Sequence, residues 1–528
     1  MADESCGVFQ TLDGNLDPER IHRMVVGEDA HPRAMSQDEA RKELGDPFAT
    51  LMLLKGNFPR TGEETVEGIR KAAPKNSPLR DKMVFLVGEA SQIPAAQQGG
   101  ARLSDGTRFI VAVGANPGGP PEGPDVIVST FAPDSSDIEL MAWDDKKGGF
   151  NYYRAVGSKP VWVFAGNAAH ALTDPTQGKG PFESHRSGAF LMKELKKPWV
   201  HWHSDLAIVT ERSFPDDDGR TEHPWFEKKE ETGAYTLEPA VARPAIERWA
   251  NVRFGRLAAT GKVERPRRIM RQLLGSPTAN IASSNLESAL AKGVTEVDLP
   301  PSFFANVDWL AGELGLAAPQ IAFSVKGEIY RNALEKFNVR LEDRRTGFVR
   351  KGDTHFAFAV LEPAFEDQVA LRGALRIGLV TRRLAASLLM VDFPNAIFSD
   401  RRAKLLDHVP AHATIKNGKS SFSQKMADAI LGSPEAKADG TAEHEFAARW
   451  NVGTKFERPF NALLRDYYAV IAEQLKSQNG FNNYLRLANF RRSKGRREMP
   501  IFAEFGMTFP VSDIQARRRS MRIDGTVA

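Results

Sequence analysis

Six short apolar runs between residues 83 and 166 restrict the N-terminal part of this 528-residue chain to one kind of fold. MVFLVG (83–88), RFIVAVG (108–114), VIVSTFA (126–132), IELMAW (138–143), FNYYRAV (150–156) and VWVFAG (161–166) are rich in Val, Ile and aromatic residues. Such side chains suit a pleated surface. Turn formers such as NPGGPPEGPD (116–125) and DDKKGG (144–149) separate the runs. Parallel pairing would need helical crossovers, so the spacing predicts an antiparallel sheet or a small barrel.

Both flanks of this region read differently. Residues 1–80 read as short helices and turns, broken by Pro47, Pro59, Pro74 and Pro78, with Ser36 and Glu39 forming a capping box. After Pro239 the period becomes helical. In 456–478, Phe460, Leu464, Tyr467, Ile471 and Leu475 recur at three- and four-residue steps and make one apolar stripe. Residues 318–361 are strand-like or mixed, and SPEAKADGTAEHE (433–445) reads as an exposed loop. The expected class is α+β: a β-rich domain over 1–165, a histidine- and tryptophan-bearing insert over 166–238, and a mainly helical region over 239–528 with a basic C-terminal segment.

Cys6 is the only cysteine, which removes intrachain disulfides, thiolate zinc sites and iron–sulfur clusters. Any metal must be held by imidazole and carboxylate. No apolar run approaches the roughly 20 residues of a membrane-spanning helix. The expectation is a soluble chain, cytoplasmic as written, or periplasmic if Met1 replaces a removed signal peptide. A formal charge of +4 is small for this length and gives no whole-chain argument for a polyanionic partner.

Four of the eleven histidines, His170, His185, His201 and His203, fall within 34 residues. If PWVHWHS is extended, His201 and His203 point to the same face. With a third imidazole from a loop they make a workable shell for a single Fe, Cu or Zn ion, which Glu183, Asp205 or Glu211 could complete or orient. The alternative is a structural loop in which each imidazole is satisfied by nearby backbone groups.

The run GKGPFESHRSGAFLMKELKKPWVHWHS (178–204) resembles a segment of poorly characterised bacterial proteins related to c-type cytochromes. Gly188, Met192-Lys193-Glu194-Leu195, Pro198-Trp199 and Trp202-His203-Ser204 match, and His185 stands where the haem-ligating histidine would be. Pro181 and Ser184 occupy the two cysteine positions, so the resemblance implies non-covalent haem rather than thioether-linked haem. On that basis His185 is the proximal candidate, Met192, His201 or His203 the candidates for the other face, and Trp199 and Trp202 the walls. The function implied is a haem- or metal-binding protein with an oxidoreductase or electron-transfer role, acting with a small molecule or redox partner. A hydrolase with a metal-bound water is a third arrangement of the same residues.

A second function class comes from the basic runs. Arg491-Arg492, Lys494, Arg496-Arg497, Arg517-Arg518-Arg519 and Arg522 crowd the last forty residues, with Phe481, Tyr484 and Phe490 nearby. They suggest a cofactor-free binding or scaffold protein that engages an acidic partner. No recognition motif accompanies them, so the runs read first as a solvated basic tail, with nucleic acid the less favoured partner. Asn417-Gly418-Lys419-Ser420 lacks the first glycine of a phosphate loop and reads as a turn.

Overall fold

A computed structural model describes residues 16–87, 108–114, 123–157, 159–189, 211, 214, 219–229, 234–275, 279–282, 295–316, 323–343, 348–351, 360–498 and 510–528. These fall into two compact units. The first takes the described residues up to 253, including those of 166–238, and the second those from 254 onward. The division falls inside the helix Arg243–Thr260.

The first unit is built on an eight-stranded sheet: β1 (His22–Arg23), β2 (Arg33–Ala34), β3 (Lys82–Val87), β4 (Arg108–Val113), β5 (Val126–Thr130), β6 (Ile138–Asp144), β7 (Gly149–Val156) and β8 (Val161–Asn167). Its order is β2-β1-β8-β7-β6-β5-β4-β3. From β3 to β8 it is an antiparallel meander, as the short turns require, whereas β1 pairs parallel with β8. All six expected strands are present. The run starting at 126 stops at Thr130, where Thr130 Oγ1 donates to the Ala132 carbonyl and Pro133 follows.

Both faces of the sheet are covered. On one, Phe48 from the helix Pro47–Leu51 meets Trp162 and Tyr153 edge-on, at 4.6 and 5.3 Å between centroids. Trp162 Nε1 donates to the Pro59 carbonyl at 2.8 Å. Asp46 caps that helix through the Ala49 N–H and accepts from Asn151 and from the Tyr153 hydroxyl. On the other face lies the segment after β8. There the β7–β8 register slips between Tyr152 and Tyr153, and Gly166 takes φ +119°.

The second unit is mainly helical, with four two-stranded pairings (Ala279–Ala282 with Val360–Pro363, Glu296–Leu299 with Phe323–Lys326, Arg340–Asp343 with Phe348–Lys351, and Lys262–Val263 with Ala413–Thr414). Its helices include α1 (Asp400–Lys404), α2 (Ala442–Trp450), α3 (Glu457–Leu475) and α4 (Gln478–Glu498). The predicted stripe of α3 is buried at all five positions. None of the described helices is long and apolar enough to cross a membrane.

Three expectations change. Residues 433–445 are not one exposed loop: Pro434–Lys437 form a 3-10 turn, and α2 starts at Ala442 behind the Thr441 cap, burying Ala436 and Ala442. The mixed segment 318–361 contains a helix, Gly327–Lys336, after its first strand. Arg491 and Arg492 are not solvated, because they face the interior of the second unit from α4. The Asn417-Gly418 pair is a tight turn as expected, with both residues at positive φ and Lys416 and Lys419 exchanging backbone hydrogen bonds. That turn lies against Gly378, where a Cβ would come within 1.8 Å of the Gly418 carbonyl oxygen.

Candidate functional site

Two places bring chemistry together, one in each unit. In the first, the Gly166 bulge leaves room above the sheet for the segment 168–189. A Cβ on Gly166 would stand 2.9 Å from Phe182 and 3.4 Å from His170 Nδ1. Phe182 stacks on His170 at 6.4 Å and meets Tyr152 edge-on at 5.4 Å, and Tyr152 contacts the His185 ring at 5.0 Å. His170 and His185 therefore sit at the two ends of one aromatic row.

Their ring nitrogens are used differently. His170 Nδ1 accepts from the Asn167 N–H at 3.0 Å, which places its proton on Nε2, 3.5 Å from Glu28. Both of its nitrogens are engaged. His185 Nδ1 lies 2.9 Å from the Ala189 carbonyl, to which it donates, so the lone pair is on Nε2. Burial pushes both imidazoles below their ordinary pKa and favours the neutral form. The Tyr152 hydroxyl is buried without a hydrogen-bond partner among the described residues. Among the described residues no three His, Cys, Asp or Glu side chains converge as a metal-binding group. Met192, Trp199, His201, Trp202 and His203 lie outside the described residues.

In the second unit a cavity of about 990 Å³ opens between the loop 392–399, α2, α4 and the C-terminal strap 516–524. Its floor is a strained loop. Asp392 and Phe398 have φ +50° and +51°, a region that non-glycine residues avoid unless tertiary bonds hold them there. Asp392 accepts from Asn395 Nδ2 at 2.7 Å and from Ser399 Oγ at 2.5 Å. The buried guanidinium of Arg402 donates to the carbonyls of Val391, Asn395 and Ala396. Arg491 donates to the carbonyls of Phe303 and Pro394 and to Asn395 Oδ1, and burial lowers its pKa to about 10. Asn395 then clamps the strap, donating to the Met521 carbonyl at 2.8 Å and accepting the Met521 N–H at 3.0 Å.

This framework presents an excess of positive charge. Arg401, Arg449, Arg491, Lys494 and Arg497 line the cavity from the body of the unit, and Arg517, Arg518, Arg519 and Arg522 line it from the strap. Among the described residues the lining carboxylates are Asp392, Asp400, Glu445 and Asp524, giving nine cations against four anions. Arg401 and Arg449 share Glu445, at 3.1 and 3.4 Å, while Lys494 and Arg518 share Asp400, at 3.0 and 3.1 Å. Asp524 accepts twice from Thr526. Among the described residues no carboxylate lies within ion-pair distance of Arg497, Arg517, Arg519 or Arg522. Burial, together with Arg486 and Arg517, pushes the Arg519 pKa down, and its Nε is buried without a partner among the described residues. Apolar surface comes from Ile397, Phe398, Phe490 and Met521.

The three-arginine run and Arg522 were visible in the sequence, but the loop that holds them was not. Asp392-Phe-Pro-Asn395 carries no motif, and its role depends on contacts 96 to 126 residues away. Comparison with known proteins finds no matching family model, no similar curated protein and no similar solved structure.

The lowered pKa of His185 gives a pH dependence of stability. The unfolded imidazole titrates near 6.5, above the folded one, so the unfolded state binds more protons between the two values. Stability therefore rises with pH through that window and falls on acidification below about 6.5. His185→Gln should flatten the fall of the unfolding midpoint between about pH 7 and about pH 5, measured by thermal denaturation. Identical slopes in the two proteins would contradict this.

Proposed function

We propose that the protein binds a small anionic ligand in the arginine-lined cavity of its second unit. One observation carries the reading: Arg497, Arg517, Arg519 and Arg522 line a single concavity with no carboxylate of the described residues within ion-pair distance. Guanidinium groups offer planar, paired donors that match carboxylate and phosphate oxygens. A cavity of about 990 Å³ has the size of a small-molecule site rather than of a flat polyanion track. The strained floor favours the same reading, since backbone strain persists where surrounding bonds over-determine it and tends to gather at ligand sites. This narrows the acidic partner expected of the basic segment to a molecule that fits a cavity.

A second reading is favoured by the His185–Ala189 bond. A ring nitrogen held by a carbonyl fixes the tautomer that offers Nε2 to a metal, and the Tyr152–Phe182 row would supply an apolar wall. Here the protein would hold non-covalent haem, or one Fe, Cu or Zn ion, with an oxidoreductase or electron-transfer role. Purified protein should then show a Soret band or stoichiometric metal that His185→Ala removes. A colourless, metal-free sample would eliminate it.

For the first reading, calorimetric titration of the full chain with orthophosphate, sulfate and citrate should show saturable one-to-one binding that weakens as salt rises from about 0.05 to about 0.2 M. The double variant Arg497→Gln/Arg522→Gln should lose about tenfold or more in affinity, since each charge-assisted hydrogen bond contributes ~1.5–3 kcal/mol. Absence of saturable binding by all three anions would overturn the proposal.

A further inference from the structure

Resting on the anion-binding reading, we infer that the ligand is an organic anion: one phosphate or carboxylate group joined to a ring-sized apolar body. One helix gives the cavity wall an apolar end and a cationic end. On α4, Phe490, Lys494 and Arg497 recur at four- and three-residue steps and all line the cavity, so they share one face of the helix. At a rise of about 1.5 Å per residue, Arg497 lies about 10 Å beyond Phe490 along the axis. Lys494, between them, is already committed: its ammonium donates to the Phe398 carbonyl at 2.8 Å and to Asp400 at 3.0 Å. Among the described residues no carboxylate lies within ion-pair distance of Arg497, so the charged group of a ligand belongs at that end.

The Lys494 bond also ties Phe398 to this helix. Phe398 has φ +51°, a conformation that glycine takes without strain and phenylalanine does not. The strained position thus holds a phenyl ring at the cavity, and that ring is only half-buried. Phe490 is half-buried too, and Ile523 on the strap is 44% exposed within the same lining.

Elsewhere in the second unit aromatic rings close on one another. Phe303 meets Phe304 at 5.0 Å, Phe304 meets Tyr484 at 5.3 Å and Phe393 meets Tyr467 at 5.0 Å. Phe398 and Phe490 have no such ring partner among the described residues. Apolar side chains left part-open in a concavity, beside unmatched cations, fit a molecule that brings both an apolar face and a charge. An inorganic anion would leave the two rings uncovered, and an uncharged ring would leave the cations of the lining unmatched. The ~10 Å between the two ends of the wall suits one ring with its charged substituent better than a long chain.

The test is calorimetric titration of the full chain with two matched pairs, methyl against phenyl phosphate and acetate against benzoate, on wild type and on Phe490→Ala. In at least one pair the phenyl member should bind about tenfold or more tighter, the gain expected from burying a ring-sized apolar surface. Phe490→Ala should remove most of that advantage and leave the methyl member within about twofold. Should Phe490→Ala unfold, Ile523→Ser, at an exposed position, should lower the advantage in the same direction. Binding of the small anions without preference for the phenyl member overturns the inference while leaving the anion site standing. An equal loss for both members in Phe490→Ala also overturns it, because a merely structural ring would act on both alike. Tighter binding of octyl than of phenyl phosphate overturns the ring-sized body in favour of an alkyl chain. Phenol binding as tightly as phenyl phosphate, or no binding by any of the anions, removes the anion reading together with the inference.

Discussion

The side-chain amide of Asn395 makes four hydrogen bonds, and the organisation of the second unit's cavity depends on them. Its Nδ2 donates to Asp392 and to the Met521 carbonyl, while its Oδ1 accepts from the Met521 N–H and from Arg491. Every donor and lone pair of the amide is used. One side chain thus fixes a loop whose backbone is locally unfavourable and ties the strap to it through Met521. Tyr484 adds a bond from its hydroxyl to the Gly525 carbonyl, and Met521 is buried. Without these anchors, like charges on Arg517, Arg518 and Arg519 would drive the strap apart. With them, the charges converge on one cavity.

In the first unit the corresponding constraint is the absence of a side chain. Gly166 turns the end of β8 at a bulge and leaves space for Phe182 and His170. The consequence is an ordered aromatic row that ends at a neutral, oriented imidazole.

The sheet was largely legible in the sequence because strand period and turn spacing are local signals. All six apolar runs became strands, and the α3 stripe went to the core as its spacing required. What escaped is non-local. The parallel pairing of β1 with β8 joins segments about 140 residues apart in sequence. Arg491 and Arg492 look like solvated charge until the carbonyls of Phe303 and Pro394 are brought to Arg491. The positive φ of Asp392 and Phe398 has no compositional cue, since neither is glycine. Of the candidate ligands within the described residues, His170 and His185 share one aromatic row, and the Ala189 bond gives His185 the tautomer with its lone pair on Nε2. In the basic segment the sequence displayed the charges and not their concavity.

Hydrogen exchange of the backbone amides in 516–522, compared between wild type and Asn395→Ala, tests the central claim most directly. If Asn395 holds the strap, losing the clamp should accelerate exchange there by about tenfold or more, while the core amides of α3 stay as protected as before. Unchanged protection across 516–522 would mean that the strap is positioned by something else, and the cationic cavity would lose its structural basis.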